Sequence, residues 1–182
     1  MIVTRTITAA VERLAGQYPV VTITGSRQSG KTTLAKQCFP GKRYVSLEEL
    51  DVREFASEDP RAFLNQYEDG AVFDEIQHVP ELFSYLQPLV DQDPAPGRFV
   101  LTGSQQFGLF SGITQSLAGR VALITLPPFT LHESRKFEQG EGQLEKLIFT
   151  GLYPPIYDRG LDPGTWYGNY VRTYVERDVR QL

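Results

Sequence analysis

Cysteine occurs once in the 182 residues, at Cys38, and histidine twice, at His78 and His132. A single thiol excludes an internal disulfide and any cluster built on cysteines. Cys38 is expected to be a small core residue of a helix. The two histidines have no metal-ligand spacing and read as structural, and no Ser–His–Asp set is suggested. No run reaches the roughly 18 apolar residues that a bilayer span needs. The amino terminus, Met1-Ile2-Val3-Thr4-Arg5, has no apolar signal core, so a cytoplasmic setting without a membrane is expected. Internal repeats and low-complexity tracts are absent. Charge is not lopsided either: a net −4 offers no global argument for a nucleic-acid or membrane surface. What remains, 41% hydrophobic and 22% charged residues, is ordinary for a soluble chain able to bury a sizeable core.

Ile7, Ala10, Val11 and Leu14 recur at i, i+3, i+4 and i+7, which predicts a short helix ended near Gly16. Val20-Val21-Thr22-Ile23 then reads as a buried parallel strand, and Thr32 to Cys38 as the opening of a helix. Further strands are expected at Arg43–Leu47, Ala71–Asp74, Arg98–Ser104 and Val121–Leu126, the last stopped by Pro127-Pro128. Helices are expected from about Pro60 to Tyr67, with Asp59 as cap, over Leu82 to Val90, and over Phe110 to Leu117. The remainder reads as helical, with a break from Gly151 to Gly164 around Pro154-Pro155 and Pro163. Strands alternating with helices predict an α/β fold with a parallel sheet covered on both faces. The expected organisation is a core over residues 1–130 and a helical extension over 131–182.

Gly25-Ser26-Arg27-Gln28-Ser29-Gly30-Lys31-Thr32 has the spacing of a phosphate-binding P-loop. Its glycines let successive N–H groups point inward at phosphate oxygens, and the following helix adds unpaired donors and a partial positive charge. Lys31 can reach β- and γ-phosphates, and the Thr32 hydroxyl can ligate Mg²⁺. Thr33 completes the stretch expected to hold a nucleotide. A glycine-rich turn with an exposed lysine is the plain alternative, but it explains neither the strand before nor the helix after.

Asp74 closes an apolar strand, where a carboxylate can hold Mg²⁺ through its water shell, and Glu75 beside it can act as general base toward an attacking water. Ser104, or Thr102 in its place, is expected to sense the γ-phosphate. Arg120 is expected to reach a γ-phosphate in cis, or a neighbour's in trans as an arginine finger. The P-loop, Asp74-Glu75 and Thr102–Ser104 all fall at carboxyl ends of strands, where open parallel sheets bind ligands.

These segments resemble the core of a prokaryotic AAA-type P-loop ATPase family close to the archaeal ATPases. The resemblance rests on Gly25 to Thr33, on Val72-Phe73-Asp74-Glu75-Ile76-Gln77, on Leu101-Thr102-Gly103-Ser104 and on Gly119-Arg120. It implies a P-loop three-layer sandwich with strand order 5-1-4-3-2, and places the strand of Leu101 to Ser104 between the strand before the P-loop and the strand ending at Asp74. It also implies a C-terminal domain of unknown function that this chain lacks, entered through Tyr174 to Arg180. The activity implied is Mg²⁺-dependent ATP binding and hydrolysis, coupled to a partner or to that domain. ATP is preferred by resemblance, and no Asn-Lys-x-Asp or D-x-x-G guanine motif is present. The alternatives are an ATP switch that does not hydrolyse and a small-molecule kinase, the latter disfavoured by Glu75 and by the acidic Glu48, Glu49 and Asp51.

Trp166, Tyr167, Tyr170, Val171, Tyr174, Val175 and Val179 share one helical stripe. They are expected either to pack on the chain's own core or to drive self-association through the uncovered face.

Overall fold

The computed structural model describes residues 3–104, 116–137 and 144–175. They form two units. One comprises Ile7–Ser26 and Lys31–Leu126; the other gathers the N-terminal residues through Thr6, Arg27–Gly30 and the chain from Pro127 on.

The first unit is built on five strands: β1 (Val20–Gly25), β2 (Arg43–Ser46), β3 (Ala71–Asp74), β4 (Phe99–Ser104) and β5 (Val121–Thr125). Every pairing is parallel, and the order is β2-β3-β4-β1-β5, the expected 5-1-4-3-2 read from the other edge. β1, β3 and β4 are buried along their whole length, whereas the edge strands β2 and β5 alternate. That is why the inner strands read as unbroken apolar runs. Alternate residues divide between two cores. Val20, Ala71, Phe73, Phe99 and Leu101 pack with α4 (Pro60–Asn65) and α5 (Leu82–Gln92) through Phe63, Leu64, Phe83 and Leu86. Val21, Ile23, Val72, Val100, Ala122 and Ile124 pack with α1 (Thr8–Ala15) and α2 (Lys31–Cys38) through Val11, Leu34 and Ala35. Each large side chain so buried stabilises the fold by about 1.5–3 kcal/mol.

Asp59 caps α4 as expected, its carboxylate accepting from Ala62 N at 2.9 Å with Pro60 in the first turn. α3 (Leu50–Glu58) is not among the helices expected from the sequence, where only the acidic Glu48, Glu49 and Asp51 stood out. Ala56 is buried, with Val52 and Phe55 packed on the same core, a short i, i+3, i+4 set hidden among charges. The helix expected over Phe110 to Leu117 lies for the most part outside the described residues.

In the second unit α6 (Leu131–Ser134), α7 (Leu144–Thr150), α8 (Pro154–Arg159) and α9 (Pro163–Tyr170) follow in order, with one π turn over Val171–Val175. The expected break from Gly151 to Gly164 thus contains a helix. Pro154 and Pro163 sit in first turns, where a missing N–H costs nothing, and so start helices instead of ending them. Gly151 turns the chain between α7 and α8 at φ +67°, and a Cβ there would fall 1.9 Å from the Tyr167 hydroxyl. The aromatic stripe packs on its own unit: Tyr153 lies 4.9 Å from Trp166 and 5.1 Å from Tyr170 between ring centroids, and Trp166 and Tyr170 stack at 4.9 Å. Val179 lies outside the described residues. Among the described residues no helix is long and apolar enough to cross a membrane.

Candidate functional site

Parallel strands bring their carboxyl ends to one edge of the sheet, and α2 begins at that edge because β1 precedes it directly. Lys31 and Thr32 open α2, Asp74 ends β3, and Thr102 and Ser104 close β4. Ser104 stands level with Gly25, the last residue of β1.

Asp74 is the centre of this group. Its side chain is buried, and three hydroxyls donate to it. Thr32 Oγ1 lies 2.9 Å from both carboxylate oxygens. Thr102 Oγ1 donates to Oδ1, and Tyr44 Oη donates to Oδ2 at 2.7 Å. Burial, and then the Asp74 carboxylate itself, push the Tyr44 phenol well above its ordinary range, so it stays a donor.

Glu75 follows in the left-handed region, at φ 56° and ψ 48°, and opens a 3₁₀ turn over Ile76–His78. A non-glycine residue in that region is uncommon. Its amide donates to Thr102 Oγ1 at 3.2 Å, so one hydroxyl ties both acids to β4. The Glu75 carboxylate accepts from Gln77 Nε2, and its Oε1 lies 3.9 Å from Lys31 Nζ. Lys31 is buried and also donates to Ser26 O at 3.1 Å.

The alternatives left open for β4 separate here. The Thr102 hydroxyl is engaged with Asp74 and Glu75, whereas Ser104 Oγ is buried and has no hydrogen-bond partner among the described residues. Ser26 Oγ is in the same condition. A buried hydroxyl without a partner is costly, and a bound oxyanion or water satisfies it. Thr33, one residue past Thr32, is exposed on α2.

Arg120 is not brought to this edge. It precedes Val121, which pairs with Val20, so it stands at the amino end of the sheet, roughly 16 Å of strand from the end of β1. Its guanidinium is bidentate on Asp91 at the end of α5 and also donates to Ala118 O at 3.0 Å. The in-cis placement expected from the sequence is therefore corrected: the short Gly119-Arg120 step leads into the wrong end of β5.

The donors at this strand edge fit Mg²⁺. They are only oxygens, namely the Asp74 carboxylate and the Thr32 hydroxyl, and among the described residues no group of three or more His, Cys, Asp or Glu side chains could cage an ion. This suits a hard cation that keeps waters and takes further oxygens from a phosphate.

In the second unit Arg27, Gln28, Ser29 and Gly30 carry the remainder of the loop motif. Gln28 and Gly30 have φ of +61° and +98°, the latter a conformation that glycine adopts without strain. Arg5 Nη1 donates to Ser29 O at 2.8 Å, and Nη2 donates to the carbonyls of Pro127 and Pro128 at 2.8 and 2.9 Å. Arg5 Nε lies 3.1 Å from Glu133 Oε2, with both side chains buried. Burial alone would raise the Glu133 carboxyl, but the amides of Thr130 and Thr6 together with Arg5 hold it below the usual carboxylate range. Tyr170 Oη donates to Arg27 O at 3.2 Å, and the Arg27 guanidinium lies 5.8 Å from the Tyr174 ring centroid. Sequence reasoning missed Arg5, Tyr44 and Gln77 as contributors. Arg5 and Tyr44 fall within short segments that carry no motif, and Gln77 entered only through the resemblance.

The model of a family described as an AAA domain matches residues 17–134. One uncharacterized protein of Mycobacterium tuberculosis and one of Mycobacterium bovis are each 33% identical over 183 residues, which cover 98% of this chain. The chain spans 40% of the length of these curated relatives. Among solved structures, the Walker-type ATPase PABY2304 of Pyrococcus abyssi superposes with a TM-score of 0.67 at 17% identity, over 99% of this chain and 76% of that one. AMPPCP-bound DnaA of Aquifex aeolicus gives 0.55 at 17% identity, over 94% and 63%. These two likenesses concern the fold, which is that of P-loop ATPases. With the family model covering the P-loop, Asp74, Glu75 and β4, the chain belongs to the AAA domain family.

Proposed function

We propose that this chain is a Mg²⁺-dependent ATPase. The observation that carries the reading is the convergence of Lys31, Thr32, Asp74 and Glu75 at one strand edge, with Thr32 on both oxygens of Asp74. In this reading the amides of Gly25 to Thr33 and the Lys31 ammonium hold the β- and γ-phosphates. Thr32 and Asp74 are the residues that would hold Mg²⁺, which when bound offsets the charge of the phosphate oxygens. Glu75 accepts the proton of the attacking water, and Gln77 keeps its carboxylate oriented. Ser104 donates its unpartnered hydroxyl to the γ-phosphate or to that water.

Coupling to a partner or to a C-terminal domain is assigned to the segment Trp166 to Val179, and self-association through the same segment is the outcome that light scattering would detect. Phosphate release from MgATP, measured without any acceptor, tests the enzyme. Turnover abolished in Glu75→Gln, with ATP still bound, supports it. Tight ATP binding with no turnover by the parent chain would establish the switch instead, and phosphate transfer only to an added acceptor would establish a kinase.

A further inference from the structure

We propose that Tyr44 is a positioning residue for Asp74, holding the carboxylate in the orientation that a divalent cation requires. The proposal rests on the reading of Asp74 as the metal carboxylate. Tyr44 lies on the edge strand β2, paired with Val72, while Ser46 pairs with Asp74 itself. Its phenol therefore crosses diagonally from one strand to the next to reach Oδ2 at 2.7 Å. The ring is held in turn: Lys36 Nζ lies 3.6 Å from its centroid. Lys36 and Thr32 are i and i+4 neighbours on α2, so one helix face presents both the hydroxyl that would meet the metal and the cation that fixes the ring.

The distribution of donors gives Tyr44 its weight. Among the described residues Oδ1 accepts from Thr32 and Thr102, and Oδ2 accepts from Thr32 and Tyr44. Were a cation held there, the Thr32 hydroxyl would turn its lone pairs toward it. Thr102 and Tyr44 then remain as one donor per oxygen, and together they prevent rotation of the carboxylate. Without the phenol, Oδ2 loses the one of its two donors that comes from outside α2. Hydrogen bonds to ligating carboxylates of this kind set metal affinity at a distance from the ion.

The experiment compares binding of a non-hydrolysable ATP analogue by calorimetry, once with Mg²⁺ and once with a chelator. The ratio of the two affinities is the contribution of the metal. Tyr44→Phe should shrink that ratio about tenfold, while the affinity in chelator stays as in the parent. Asp74→Asn is the control. If Asp74→Asn leaves the ratio unchanged, the reading of Asp74 as metal carboxylate fails, and the proposal fails with it. If Asp74→Asn shrinks the ratio and Tyr44→Phe does not, the Tyr44 proposal alone is overturned. An equal loss in both buffers also overturns it, because a general disturbance of the site would act without metal. Should Tyr44→Phe fail to fold by thermal melting, Lys36→Ala carries the test, since it keeps the hydroxyl and frees the ring. A ratio reduced about threefold is then expected, and an unchanged ratio overturns the proposal.

Discussion

Lys31 Nζ lies 3.9 Å from Glu75 Oε1, so the cation proposed to hold phosphate and the carboxylate proposed to activate water face each other directly. Both are largely buried, which strengthens the pair relative to one in water. Glu75→Gln removes a negative charge from the phosphate side and with it the ion pair to Lys31. The variant should bind an ATP analogue at least as tightly as the parent and lose hydrolysis by about 10²–10⁴-fold. Calorimetry and phosphate release check the two halves, and undiminished turnover would mean that another residue is the base.

Lys31→Ala should weaken ATP binding at least about tenfold, the scale of one lost hydrogen bond to a charged group. The measurement is calorimetric affinity in Mg²⁺. An unchanged affinity would sink the assignment of Gly25 to Thr33 as the phosphate loop.

Arg120→Ala should leave the turnover of an isolated chain unchanged, because the guanidinium is held by Asp91 at the far end of the sheet. It should lower the melting temperature only slightly, as the pair is solvent-exposed. Turnover assayed over a range of protein concentrations checks this. A loss that grows with concentration would instead identify a role in trans.

Glu133 predicts a specific acid sensitivity. Its carboxyl is held below the ordinary value of 4.5, so its contribution to stability is complete above that value and is lost as pH falls through the lower folded one. Glu133→Gln should flatten the acid limb of a stability–pH curve. At neutral pH it should cost about 3 kcal/mol, because Arg5 keeps its burial and loses its countercharge. Urea melts across the acid range test both statements, and an unaltered acid limb would refute the first.

Cys38 should resist alkylation. Burial first, and Glu12 second, push its thiol up to about 11, so little thiolate exists at pH 8. Labelling by iodoacetamide, followed by mass spectrometry, should be about a hundredfold slower in the native chain than in the unfolded one. Equal rates would show that the thiol is not shielded.

Much of this protein was legible along the chain. The inner strands declared themselves because residues buried on both faces leave unbroken apolar runs, as in Val20 to Ile23 and Phe99 to Leu101. The positions of the P-loop pattern, Asp74 and Glu75 were legible because the pattern lies between an apolar strand and a helix and the two acids follow an apolar strand. Two local features still misled. The acidic residues around α3 concealed a three-residue apolar stripe, and the prolines after Gly151 read as breakers although each stands where a helix begins.

The tertiary structure decided what depends on contacts between strands distant in sequence. Tyr44 and Thr102 reach Asp74 only because β2 and β4 flank β3, and Arg120 is turned away only because β5 enters the sheet at the opposite end from the P-loop. Thr102 rather than Ser104 ties down the two acids, because the register that sets Phe73 beside Leu101 brings Thr102 next to Asp74, while Ser104 lies two residues, roughly 7 Å, farther along β4. Sequence spacing determines which groups share a strand end, because the peptide repeat is fixed. Which oxygen each group meets is determined by strand order and side-chain direction, and these exist only once the sheet has formed.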